Sequence, residues 1–268
     1  MQRGTELILH ILILAVLLIT SCKENPPDEP IEQTGKIAFS FVHNIDGSPL
    51  QTDTMMYLNA AGNHYMITEV QYFISDVMLF KSDGSSQMIQ EWKDIHYVDN
   101  DIPSTMQWNV YDAIPAGDYD SLNFVFGIIE EKNHSLMYTD PPESLMFWPE
   151  YLGGGYHHMK LNGKWLDPEE KMIPFDFHLG IGQFYDNEGN ITGFIQNYFT
   201  VHLPSSAFTV EKDNTTHLSL VMNIERWFTT PNDYNHNDWG GAIMQNQAAM
   251  QLAKENGRDV FTMELTSR

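Results

Sequence analysis

The stretch KIAFSFVHNIDGSPL, residues 36–50, alternates Ile37, Phe39 and Phe41 with Ala38, Ser40 and Val42 and then reaches Asp46-Gly47. Alternation with period two sends one set of side chains to a buried face and the other to a solvated one, so the segment predicts a half-buried strand ending in a turn. The same texture recurs along the chain. YLNAAGNHYMITEVQYFISDVMLFKSDG carries turn signals at Gly62-Asn63 and Asp83-Gly84, EWKDIHYVDN and GDYDSLNFVFGI read as short strands, and DVFTMEL returns to strand. Helical periodicity is confined to AIMQNQAAMQLAKENG, with Met244, Ala248 and Leu252 in one stripe and Gly257 as a stop. With no repeat of fixed period, these features predict an all-β fold: a single β-sandwich-like domain with long loops and one short C-terminal helix. The aperiodic stretch Lys132–Pro149, which contains Pro141-Pro142, is a loop of the length that tends to carry function.

Ahead of this domain, MQRGTELILHILILAVLLITSC has a polar start with Arg3 and an apolar run from Leu7 to Ile19 interrupted by His10. A run of about 13 residues is short of the ~20 that span a bilayer and fits the hydrophobic region of a signal peptide. Ile19-Thr20-Ser21-Cys22 resembles a bacterial lipobox, an apolar residue and two small ones before a cysteine. The resemblance implies cleavage before Cys22 and lipidation of its thiol and new amino terminus. The expected organisation is a lipoprotein signal peptide over residues 1–21, lipidated Cys22 with the acidic, Pro-rich linker CKENPPDEPIEQTG over 22–35, and a β-rich domain over 36–268. The expected location is extracytoplasmic, on the periplasmic or cell-surface face of a bacterial membrane held through Cys22. As the only cysteine, Cys22 leaves the domain no thiolate for a metal and no internal disulfide.

The chain carries 36 acidic and 14 basic residues, a formal charge of −22, and loss of Arg3 and Glu6 with the first 21 residues leaves that balance unchanged. Nucleic acid and anionic membrane surfaces both need a basic patch, so neither is an expected partner.

Chemistry concentrates in FWPEYLGGGYHHMKLNG and FDFHLG. If each is a strand, His157, Met159 and Leu161 share one face and Tyr156, His158 and Lys160 the other. Phe175, Phe177 and Leu179 then form an apolar face opposite Asp176 and His178. Parity leaves open whether His178 converges with His157 or His158. Imidazoles and thioethers without cysteine suit copper, Cu(I) included, whereas carboxylates with imidazole suit zinc. Asp176 is placed to fix an imidazole tautomer as an outer acceptor. No HExxH, GxSxG, P-loop or dinucleotide fingerprint occurs. DNEGNITG, from Asp186, lacks the glycine and terminal acid of an EF-hand loop and reads as a turn. Among the tryptophans, Trp227 reads as core, and Trp148 and Trp239 read as surface candidates for stacking on sugars. Two rival functions therefore stand beside a metal site: a glycan- or partner-binding lipoprotein with structural histidines, and a zinc-dependent hydrolase.

Taken in order, FVHNIDGSPL, YLNAAGNHYMITEVQYFISDVMLFKSDG, MFWPEYLGGGYHHMKLNG, FDFHLG, LSLVMNIERWF and NGRDVF resemble the MbnP-like family of bacterial extracytoplasmic copper-binding proteins. The resemblance runs from about residue 36 to about residue 261. It implies a β-rich domain that acquires or handles copper without turnover. In some relatives, it further implies, a tryptophan near the copper is oxidised to kynurenine by a di-haem partner. Matched by motif position, the tryptophan is Trp148 and the first histidine ligand is His178. His158 and His157 are candidate second ligands, with Met159 and Asp176 nearby.

Overall fold

The computed structural model describes residues 33–91 and 94–265. The signal peptide, Cys22 and most of the linker, as read from the sequence, lie outside the described residues, as does Trp92. The strands of four or more residues are β1 (Thr34–Ile45), β2 (His64–Lys81), β3 (Ile95–Asp99), β4 (Gly117–Phe126), β5 (Met159–Leu166), β6 (Met172–Leu179), β7 (Gly182–Tyr185), β8 (Ile191–Ile195), β9 (Phe199–Leu203), β10 (Thr215–Asn223) and β11 (Phe261–Leu265). A nine-stranded sheet runs in the order β6–β5–β2–β4–β9, with β3 also paired to β2. A six-stranded sheet contains β11–β10–β1, with β1 and β10 parallel. Shorter strands complete both sheets, and β7 and β8 form a separate hairpin. The fold is all-β and sandwich-like.

Strand alternation builds the core as the sequence predicts. Ile37, Phe39 and Phe41 on β1 are buried, and the chain leaves β1 through Asp46 and Gly47, both with positive φ (51° and 73°). Such φ values match the twist of a tight hairpin, which is why Asp-Gly occupies the turn. Rings from the two sheets meet in the middle: Phe41 lies edge-on to Tyr72 at 6.4 Å and Phe124 edge-on to Phe261 at 5.1 Å. β2 is apolar on both faces for a reason. Tyr72 and Ile74 enter this main core, whereas Phe73 between them joins Tyr97, Ile128, Met146 and Tyr156 in a second, smaller core. That second core is roofed by residues 127–158, the connection between β4 and β5, which carries two single-turn 3-10 segments, Glu143–Met146 and Glu150–Leu152.

Two helices are present among the described residues, α1 (His236–Trp239) and α2 (Gln247–Gly257). The expected Met244–Ala248–Leu252 stripe is not the face that α2 buries. Its buried residues are Ala249, Met250, Ala253, Asn256 and Gly257. Asn246 caps the helix, its side chain accepting from the Ala249 N–H at 3.2 Å, so the helix begins after Met244. Gly257 is the last helical residue and not a stop beyond it; Phe199 and Trp227 occupy the space a side chain there would need. No helix among the described residues is long and apolar enough to cross a membrane.

Candidate metal centre

The triple glycine that precedes the histidines is a bend. Gly153, Gly154 and Gly155 have φ of 122°, 71° and 76°, a run of left-handed conformations that residues with a Cβ resist. The bend is clamped on both sides. The Trp148 N–H donates to the Gly155 carbonyl at 2.8 Å, the Gly155 N–H to Ser135 Oγ at 2.8 Å, and the Tyr156 N–H to Asn133 Oδ1 at 2.8 Å. A Cβ on Gly154 would meet Ser135 Oγ, and one on Gly155 would meet Asn133. The chain is thereby turned back so that Trp148 and His157 lie against each other, ring centroids 4.6 Å apart and nearly perpendicular. Gly180, just after β6, gives the indole its seat: a Cβ there would fall 2.5 Å from Trp148 ring carbons.

His178 reaches the same place from β6. It pairs with Lys160 across the β5–β6 hairpin, on the face opposite the buried Phe177 and Leu179. The His157 and His178 rings are 5.1 Å apart and perpendicular. Their outer nitrogens are both committed. His157 Nδ1–H donates to the Met146 carbonyl at 2.8 Å, and a carbonyl can only accept, so Nε2 carries the lone pair. The Asn162 side chain gives its amide N–H to the Glu69 carboxylate at 2.6 Å and so turns Oδ1 toward His178, where it accepts from Nε2–H at 2.7 Å. The lone pair of His178 is then on Nδ1. His157 Nε2 and His178 Nδ1 are both buried and have no hydrogen-bond partner. Both rings are neutral at pH 7. Burial, then the neighbouring His178, holds His157 well below the ordinary histidine value, and burial, then Lys160, lowers His178 to about 4.

His158 belongs elsewhere. Its Nδ1 accepts from the Ile128 N–H at 3.3 Å, so its buried, unpartnered Nε2 carries the hydrogen and has no lone pair to offer. Its ring stands edge-on to Tyr198, centroids 6.0 Å apart. Met159 is fully buried in the main core with Leu161 and Leu179. Asp176 is exposed and makes no side-chain hydrogen bond to either histidine; Asn162 and the Met146 carbonyl fill the outer-acceptor role expected of it. Trp148, expected on the surface, is fully buried, with its indole N–H donating to the Leu152 carbonyl at 3.1 Å. Burial removes it as a sugar-stacking platform. Among the described residues no group of three or more His, Cys, Asp or Glu side chains converges as a metal site. The centre is a two-imidazole arrangement under an indole.

Sequence reasoning missed Asn162 and Glu69, although a signal was present. Once YHHMKLNG and FDFHLG are taken as the two arms of one hairpin, Lys160 pairs with His178, and Asn162, two pairs further along, lies on the same face.

A family model, MbnP, matches residues 34–247 of the chain. The chain belongs to the MbnP family. Among solved structures it is similar to MbnP from Methylosinus trichosporium, with a TM-score of 0.56 and 14% identity over 88% of this chain and 100% of that one. At that identity the likeness is one of fold. No curated protein matches the chain. MbnP membership spans the loop, the glycine bend, both imidazoles and most of the strands described above.

Proposed function

We propose that this MbnP-family protein is a lipid-anchored, extracytoplasmic copper-binding protein, with the ion as cargo held between His157 Nε2 and His178 Nδ1. The observation that carries the proposal is the pair of buried lone pairs, each aimed by an outer hydrogen bond on the far side of its ring. Two neutral nitrogens with Lys160 acting on both and no carboxylate or thiolate ligand favour a monovalent soft ion over a divalent one, because no anionic ligand offsets a second buried charge. Cu(I) is the ion that fits this donor set. A hydrolytic zinc needs three convergent protein ligands, and the described residues gather no such group.

Trp148, in contact with His157, is the residue a di-haem oxidising partner would modify, and because it is fully buried such a partner would act on it through intervening protein. Intact-mass measurement of the natively expressed protein reports whether it is modified. The anchor rests on the sequence Ile19-Thr20-Ser21-Cys22.

The test is an anaerobic Cu(I) competition titration against a chromogenic chelator. One equivalent is expected to bind, and His157→Ala and His178→Ala should each weaken it at least tenfold, roughly the scale of losing a ligand's support or more. His158→Ala should leave the affinity within about twofold. Loss in His158→Ala with retention in His157→Ala would reverse the assignment, and no competition at all would remove copper.

A further inference from the structure

The bases of this acidic protein are unevenly placed. The two arginines within the described residues, Arg226 and Arg258, both line one cleft of about 280 Å³ formed with residues 202–206, Asp259 and residues 261–263. A second cleft of about 340 Å³ shares His202 and Arg258 and adds Lys254, Tyr198 and Thr200. The two joined clefts lie across three parts of the fold: β9, the end of α2, and the 3-10 turn Ile224–Phe228 that follows β10. The negative end of the α2 dipole accounts for cations at Lys254 and Arg258. It does not account for Arg226 or His202, which come from other elements.

One carboxylate pairs with one of these bases and leaves Lys254 and Arg258 without a salt bridge among the described residues. Asp259 lines the cleft and is engaged by Arg226, whose Nη1 donates to its backbone carbonyl at 2.8 Å and its carboxylate at 3.3 Å. Glu255 stands near Arg258 outside both clefts, and its carboxylate accepts from Asn232 and Gln251. Lys254 donates to the Gln196 carbonyl at 2.9 Å, and burial, then Arg258, lowers its pKa. The Arg258 guanidinium makes no hydrogen bond or ion pair with the described residues. Arg258 is exposed and solvated, and its charge beside that of Lys254 favours an anion over water at the site.

We infer that the joined clefts bind an oxyanion of the phosphate type, with Arg258 as principal donor and Lys254 and Arg226 as flanking charges. A planar guanidinium with all its donors uncommitted matches phosphate oxygens better than an ammonium does. The formal charge of −22 makes non-specific anion adsorption unfavourable, so saturable phosphate binding by this protein is a local signal. The phosphate is free in solution or carried on a lipid headgroup, and the chemistry of recognition is the same.

The experiment is a calorimetric titration of the purified protein with inorganic phosphate in a phosphate-free, low-salt buffer, followed by amide NMR shifts. Saturable binding is expected, with shifts confined to residues 198–206, 226 and 254–263. Arg258→Gln should weaken it at least tenfold at an unchanged melting temperature, Lys254→Gln should weaken it less, and His157→Ala should leave it unchanged, separating this site from the metal centre. In parallel, sedimentation with phosphatidic acid vesicles against phosphatidylcholine vesicles distinguishes the sources: Arg258-dependent co-sedimentation assigns a headgroup, and phosphate saturation without it assigns a free anion. Absence of both, or phosphate affinity unchanged in Arg258→Gln and Lys254→Gln, overturns the inference.

Discussion

At the scale of single residues the site is decided by tautomers. Three histidines carry a buried, unpartnered nitrogen in this region, yet only two of those nitrogens carry a lone pair, because a carbonyl and an amide oxygen hold the hydrogens of His157 and His178 on the far side while a backbone N–H takes the lone pair of His158. Asn162 is therefore a positioning residue for His178. In Asn162→Ala the His178 Nε2–H loses its acceptor, and Cu(I) affinity should fall about 10- to 100-fold, the usual scale for removing an outer partner of a metal ligand. Far-ultraviolet dichroism should be unchanged, because Asn162 is only half-buried and its backbone ladder survives. A chelator titration alongside a dichroism melt checks both halves. An unaltered affinity would mean that the ring is oriented by strand packing alone.

At the scale of elements, the strands follow from alternation and the turns from Asp-Gly chemistry, while α2 owes its phase to a cap. Asn246 replaces the missing intrahelical partner of the Ala249 N–H, and starting the helix there brings Ala249, Met250 and Ala253 onto the core. Asn246→Ala should cost about 1 kcal/mol in a denaturant melt, with Asn246→Asp recovering most of it. Equal losses for both substitutions would argue that packing around residue 246, and not the cap, sets the start. The loop 127–158 is the other element whose role exceeds its local pattern. Its 3-10 turns and glycine bend supply Trp148, His157 and the Met146 carbonyl, three of the parts of the centre.

At the scale of the whole molecule, burial of histidines links stability to pH. Burial lowers His43 and His178 to about 4, His158 and His236 to about 3, and His157 well below its ordinary value; neighbouring positive or imidazole groups add to the shift at His157, His158 and His178, and the Asp99 charge opposes it at His43. The folded-state values lie below the unfolded value of about 6.5. Below that pH the unfolded chain takes up protons that the folded chain refuses, so stability is complete above about pH 6.5 and is lost as pH falls from there toward 4 and 3, at up to ~1.4 kcal/mol per pH unit for each group. The denaturation midpoint should thus be flat from pH 8 to 7 and fall steadily below 6.5, and His236→Phe should make that fall shallower. His236 is suited to the substitution because Trp165, Phe175 and Phe228 surround its ring and neither nitrogen has a partner. A midpoint that stays level down to pH 4 would show the rings to be solvated. Copper affinity should also be nearly constant between pH 8 and 5.5, since neither His157 nor His178 has a proton to lose at its inward nitrogen.

The division between what the sequence determined and what the tertiary structure decided follows the range of the forces. Alternation at Ile37, Phe39 and Phe41, the Asp46-Gly47 turn, the apolar face of Phe175, Phe177 and Leu179 and the outward position of His178 are properties of a strand and its immediate neighbours, and all are legible in order along the chain. The bend at Gly153–Gly155 was visible as composition, but which histidine it would carry to His178 was not. Strand parity ends where regular pairing ends, and residues 156–158 take their directions from long-range hydrogen bonds to Asn133, Met146 and Leu179. Burial of Trp148 was invisible for a similar reason: its local surroundings are those of a loop, and only the packing of Gly180 and Leu152 against it makes it core. Asn162 outcompetes Asp176 because the hairpin register and the Glu69 carboxylate on β2 aim its amide, a three-strand relation that no single segment contains.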